Sequence, residues 1–157
     1  MGPNLGEKTY LWHVVILRAY IGGYLLYQGS RKFLRDFPHS DWVGRQIGDL
    51  IEVDLFSWYK DFLLSVVSLH EVLFGYLVMY GEILIGLSLI LGLLTRFSSF
   101  MGIIMFINYV LGPGMARGGS TSGQTLTFLV SMIVLFLSNP GRTLGLDAFL
   151  FAKSKRE

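Results

Sequence analysis

The chain has 157 residues, of which 52% are hydrophobic, 15% aromatic and 15% charged, with a formal net charge of +2. That length suits a single domain, and charge is scarce against the quarter usual in a soluble one, giving a mean hydropathy of +0.54. The small net charge without a dense basic patch excludes nucleic acid as a partner. The absence of cysteine excludes disulfides, thiolate-held iron–sulfur clusters, c-type haem attachment and a thiol nucleophile.

Charges gather at Glu7–Lys8, in Arg31–Asp61 and after Arg142, leaving long apolar runs between them. The first run, Tyr10–Tyr27, reaches ~27 Å as a helix, close to the hydrocarbon thickness of a bilayer. It carries His13 near its start and Arg18 near its middle, so it spans only if Arg18 faces other helices. Met1–Lys8 offers a single lysine and no Ala-x-Ala-like site follows the run, so a cleaved signal peptide is not expected. Between this run and the next lies a loop of about 28–71, too long for a turn. Trp42, Ile47, Leu50 and Ile51 fall on one side of a helix there. Trp58, Tyr59, Phe62, Leu63, Val66 and Val67 form a second apolar stripe. Such stripes suit helices lying at the membrane interface or packing on the ends of the spans.

The second run, Val72–Leu94, is ~35 Å of helix with one ionisable group, Glu82. Thr95-Arg96 predicts a short turn into the third run, Phe97–Gly112, which contains Asn108 and stops at Gly112-Pro113-Gly114. The fourth run, Gln124–Ser138, can be extended by Ser120-Thr121-Ser122 and ends at Asn139-Pro140-Gly141. A re-entrant pair is the competing reading of the third and fourth runs. The whole predicts an all-α fold over residues 1–157. It is an integral membrane four-helix bundle, one membrane domain, with amphipathic interfacial helices between transmembrane helices 1 and 2. Small residues repeat at four in Ala19-x-x-x-Gly23, Ser88-x-x-x-Gly92 and Ser98-x-x-x-Gly102, which lets helices approach closely. The basic residues divide evenly between the two faces. The short C-terminal cluster beside a span favours cytoplasmic termini in a multi-pass cell-membrane protein.

Arg18 and Glu82 are the sharpest chemical feature. The two helices enter from opposite faces, so both residues fall near the midplane, where an isolated charge costs about 2.5–3.5 kcal/mol or more. They are expected to face each other. Two readings stand: an ion pair that sets helix register, or a polar pocket for a quinone head group or small anion with Glu82 as proton acceptor. Asn108 is either an interhelical hydrogen bond or a further ligand group. His13, His39 and His70 leave no transmembrane pair to ligate a haem, and a metal centre is not expected. The Gly112–Gly123 stretch lacks the Gly-Lys-Ser/Thr of a phosphate loop.

Three motifs then resemble the DoxX/DoxD family of small four-helix membrane proteins. These are Arg18-x-x-x-Gly22 with Gly29-x-x-Lys32-Phe33; then Phe74-Gly75, Gly81-Glu82-x-x-x-Gly86 and Gly92-x-x-Thr95-Arg96; and finally Gly141-Arg142-x-x-Gly145-Leu146-Asp147. The long first loop is more like DoxD than the minimal DoxX pattern. The resemblance implies a membrane subunit of a thiosulfate:quinone oxidoreductase, with quinone as cofactor and other membrane subunits or a DoxA-like small subunit as partners. It carries Arg18, Lys32 and Glu82 over as site residues, and Arg96, Arg142 and Asp147 as motif residues. The alternative is a non-catalytic accessory or assembly subunit of a larger electron-transfer complex. A small transporter is weaker, because no internal repeat is evident.

Overall fold

The computed structural model describes residues 5–52, 56–114, 119–138 and 146–147, and every element among them is helical. The long helices are α1 (Leu5–Leu34), α4 (Glu71–Leu91), α5 (Thr95–Tyr109) and α6 (Gly119–Ser138). Between α1 and α4 lie α2 (Trp42–Ile51) and α3 (Ser57–Phe62). A π-helical turn, Leu63–Val67, and a 3-10 turn, Ser68–His70, lead from α3 into α4.

α1 runs against α4 and α5 against α6, with further contacts from α4 to α5 and from α1 to α6. Glycine makes the α1–α4 contact possible. A Cβ on Gly86 would lie 2.6 Å from Leu26 N, and one on Gly22 would lie 2.9 Å from Gly86 O. Backbone touches backbone there, so neither position accepts a side chain. Gly23 has nothing within 4 Å of a Cβ. The Ala19/Gly23 face expected to pack is therefore turned outward, and Gly22 and Gly29 carry the contact. Gly86→Leu is expected to force α1 from α4 and destabilise by roughly 1–3 kcal/mol, as overpacking does. Gly23→Leu, in open space, should leave the melting temperature in detergent unchanged.

The element boundaries shift from expectation in two places. α1 continues through Lys32 to Leu34, well beyond Tyr27. The turn after α4 is Gly92–Leu94, and Thr95-Arg96 opens α5 instead of forming the turn. Gly92 closes α4 in the left-handed region (φ 67°), with Leu93 N donating to Ser88 O at 3.0 Å. Leu94 follows at φ 48°, a costly conformation for a branched side chain. α6 does extend through Ser120–Ser122.

The second apolar stripe splits between two roles. Tyr59, Leu63 and Val67 are buried with Ile47 and Leu50 of α2, packing against Phe74 and Leu111. Trp58, Phe62 and Val66 face outward. α2 and α3 thus make a small core over one end of the long helices. α4 reverses the soluble pattern. It buries Gly75, Glu82 and Gly86 with Met79, Ile85 and Leu89, and exposes Leu73, Leu77, Leu84 and Leu87. Among the described residues one helix, Ser57–Leu91, is long and apolar enough to cross a membrane; Ser122–Ser138 is a shorter apolar helix.

Candidate functional site

Glu82 is 2% exposed, deep in α4. Its Oε1 accepts from Lys32 Nζ at 2.6 Å and from Tyr109 Oη at 2.7 Å. Lys32 Nζ also lies 3.3 Å from Tyr109 Oη, so the three groups close a ring. The same ammonium stands 5.2 Å from the centroid of Phe37 and 5.6 Å from that of Tyr109, within cation–π reach of both. Glu82 Oε2 is buried with no hydrogen-bond partner. A bare carboxylate oxygen inside a helical core is costly, so the arrangement has room in its chemistry for one more donor.

Local sequence explains how Lys32 gets there. Gly29 sits one turn before it, and a Cβ on Gly29 would stand 2.6 Å from Ile83 Cγ1 and 3.2 Å from Glu82 Cβ. The missing side chain brings α1 onto α4, and the four-carbon stem of Lys32 is long enough to reach the Glu82 carboxylate. Tyr109 arrives from α5, where Gly102, Phe106 and Tyr109 share one face. Phe106 meets Tyr109 edge-on at 5.9 Å and stacks on Phe128 at 5.5 Å, and Phe128 stacks on Tyr24 at 4.5 Å. An aromatic wall therefore adjoins the polar ring.

Lys32 also opens onto a groove. The groove, of about 360 Å³, is lined by Gln28, Arg31, Lys32, Arg35, Phe37, Ser40 and Arg45. The Lys32 side chain is 22% exposed against 3% for Glu82. Lys32 is thus shared between a cationic groove and a buried carboxylate.

Arg18 is not part of this ring. Gly22 opposes Gly86 and Ile90, while Gly29 opposes Glu82 and Ile83, so α1 and α4 run antiparallel in that register. Arg18, one turn before Gly22, falls level with the α4–α5 turn, ~21 Å along the helix from Lys32. The expected Arg18–Glu82 pairing is replaced by Lys32–Glu82. Arg18 is buried and attracted instead by the Asp147 carboxylate.

Asp147, itself buried, anchors that turn. Its Oδ1 accepts from Leu94 N at 2.7 Å, and its Oδ2 accepts from Thr95 N at 3.0 Å and Thr95 Oγ1 at 2.8 Å. Its own N–H donates to Gly92 O at 3.0 Å. It serves as the cap of α5, supplied from ~50 residues downstream.

The remaining candidates separate. Asn108 is exposed, and its Oδ1 accepts from Tyr59 Oη at 3.3 Å, tying α5 to α3. Arg96 lies with its guanidinium 5.1 Å over the Phe136 ring. Arg142 falls outside the described residues. No group of three or more His, Cys, Asp or Glu able to hold a metal occurs among the described residues. Nothing in the sequence sets Tyr109 above its neighbour Asn108; its spacing of three from Phe106 and seven from Gly102 is the available signal.

A family model described as the TQO small subunit DoxD matches residues 13–157. The chain matches no curated protein and no solved structure.

Proposed function

Because the chain belongs to the DoxD family, the small subunit of a thiosulfate:quinone oxidoreductase, we propose that Glu82, Lys32 and Tyr109 form the quinone head-group site of such a complex. The observation that carries this is the buried, unpartnered Oε2 of Glu82 beside an aromatic wall. Protonated, that oxygen donates to a carbonyl; ionised, it accepts from a hydroxyl. Phe106, Phe128 and Tyr24 stack on one another next to Tyr109 and give the site an aromatic flank. A bound quinone would supply electron-accepting chemistry that no side chain of this chain offers. Lys32 and Tyr109 occupy Oε1 of the Glu82 carboxyl, which leaves Oε2 for the ligand.

The groove fits the sulfur anion. Arg31, Arg35 and Arg45 present guanidiniums suited to an oxyanion, and Lys32 forms the partition between them and Glu82. DoxD proteins are membrane-associated subunits. For this chain we propose four crossings by α1, α4, α5 and α6, with cytoplasmic termini. The outward leucines of α4 and its inward glutamate support lipid as the surrounding medium. α2 and α3 then lie at the interface beside the groove, where Phe56, Trp58, Phe62 and Leu64 offer an apolar face for lipid or a partner subunit.

The test is to purify the chain with its partner subunits, extract and quantify bound quinone, and follow thiosulfate-dependent quinone reduction. Wild type should retain quinone and reduce it. Glu82→Gln should lower the rate roughly 10²-fold or more while the complex still assembles. Wild-type complex that neither binds quinone nor reduces it with thiosulfate would leave the accessory-subunit reading in its place.

A further inference from the structure

We propose that Lys32 is a proton relay, loading Glu82 from the aqueous groove, so that protons used at the buried site enter at the end of the molecule carrying α2 and α3. The proposal rests on the quinone reading only for what consumes the proton.

Glu82 is sealed from solvent, so any proton it gains must come through a neighbour. It bonds two side chains, Lys32 and Tyr109. Of these, Lys32 also lines the groove. The other cations there, Arg31, Arg35 and Arg45, hold their protons throughout the working pH range. Lys32 is therefore the groove cation that is an amine and that also reaches Glu82. Its Nζ lies 2.6 Å from Oε1, within direct transfer distance.

The step is a proton transfer without electron movement. One N–H bond of the Lys32 ammonium breaks as an O–H bond forms at Glu82 Oε1. The neutral amine then takes a proton from a hydronium ion in the groove, releasing water and restoring the ammonium. Rotation of the carboxyl group carries the new proton toward the position now held by Oε2, the oxygen without a partner. Tyr109, at 2.7 Å from Oε1 and 3.3 Å from Nζ, acts as a positioning residue that keeps donor and acceptor aligned.

Infrared spectroscopy on the full chain in detergent, stripped of quinone, isolates this step. The protonated Glu82 carboxyl band is identified by its loss in Glu82→Gln, and its shift is timed after transfer into deuterated water. Lys32→Gln keeps an N–H donor for Oε1 but cannot pass a proton, and should slow exchange roughly 10²-fold. Lys32→Arg, which keeps the charge, should be as slow. Methylamine added to Lys32→Ala should restore much of the rate, whereas tetramethylammonium, a cation with no proton to pass on, should not. Tyr109→Phe, which loses alignment but leaves the amine in place, should slow exchange less than Lys32→Gln does. Wild-type exchange in both Lys32→Gln and Lys32→Arg overturns the relay. So does slowing in Tyr109→Phe equal to that in Lys32→Gln, or a Glu82 that shows no protonated band at any pH the protein tolerates. Quinone retention, scored separately on unstripped protein, decides the head-group assignment independently.

Discussion

Lys32→Met is expected to destabilise the folded chain by about 3 kcal/mol or more, and Lys32→Met with Glu82→Leu to recover most of that loss. The single change removes the cation 2.6 Å from Glu82 Oε1 and leaves a carboxyl group that is 3% exposed with Tyr109 alone on that oxygen. Stranding one member of a buried ion pair costs about 3–5 kcal/mol, whereas replacing both by apolar groups of similar volume is often neutral or stabilising. Burial sharpens the contrast, because the uncompensated Glu82 charge is sealed from solvent. Unfolding of single and double variants in mixed micelles with increasing denaturing detergent measures both numbers. Glu82→Leu alone should cost less than Lys32→Met alone, because Lys32 is 22% exposed and its freed ammonium can turn into the groove. The double variant should fold and yet fail to reduce quinone. That outcome would separate what the pair does for the fold from what it does for chemistry. A double variant no more stable than Lys32→Met would mean that the ring is held by packing instead of charge.

The helices were legible because their apolar runs are long and their breakers strong. Glu82 stood out because a lone carboxylate in such a run must either pair with another charge or line a polar pocket. Its partner was misread for a geometric reason. Hydropathy ended the first span at Tyr27, since Arg31, Lys32 and Arg35 look like a solvated end. The helix instead continues to Leu34, and Gly29 draws Lys32 against α4. Depth counted along each span then placed Arg18 beside Glu82. The helix register, set by backbone contact at Gly22 and Gly86, offsets them by several turns. That register depends on which face of each helix carries its glycines, and Gly22 and Gly23 are adjacent in sequence. The choice between them is made by the partner helix, which one-dimensional spacing does not contain. Tyr109 did not stand out, for a related reason. A tyrosine at the end of an apolar run is ordinary, and only the convergence of α1, α4 and α5 gives its hydroxyl a carboxylate to meet.

Asp147→Ala should produce a comparably large loss, roughly 2–4 kcal/mol, through a different mechanism. Leu94 is held at φ 48°, where a non-glycine residue is unfavourable, and the Asp147 carboxylate accepts from Leu94 N and Thr95 N on its far side. Hydrogen bonds to a charged acceptor contribute about 1.5–3 kcal/mol each, and a lost helix cap alone costs about 0.5–2 kcal/mol. Those contributions overlap, which keeps the expected total below their sum. Asp147→Asn retains one acceptor oxygen and should cost about half as much, because Leu94 N and Thr95 N bond different oxygens of the carboxylate. The carboxylate also attracts buried Arg18, so the two losses should not add. In a cycle of Arg18→Met, Asp147→Asn and the double variant, the coupling should be about 1 kcal/mol or more. Arg96→Ala, which loses only a ring contact with Phe136 at the exposed end of the same turn, should stay within about 1 kcal/mol of wild type. Melting temperatures in detergent, with quinone reduction measured below the melting point, complete the test. Because the turn lies at the opposite end of α4 from the cap of α2 and α3, a folded Asp147→Asn should keep its quinone. Loss of quinone without loss of stability would move the ligand site from Glu82 toward Arg18.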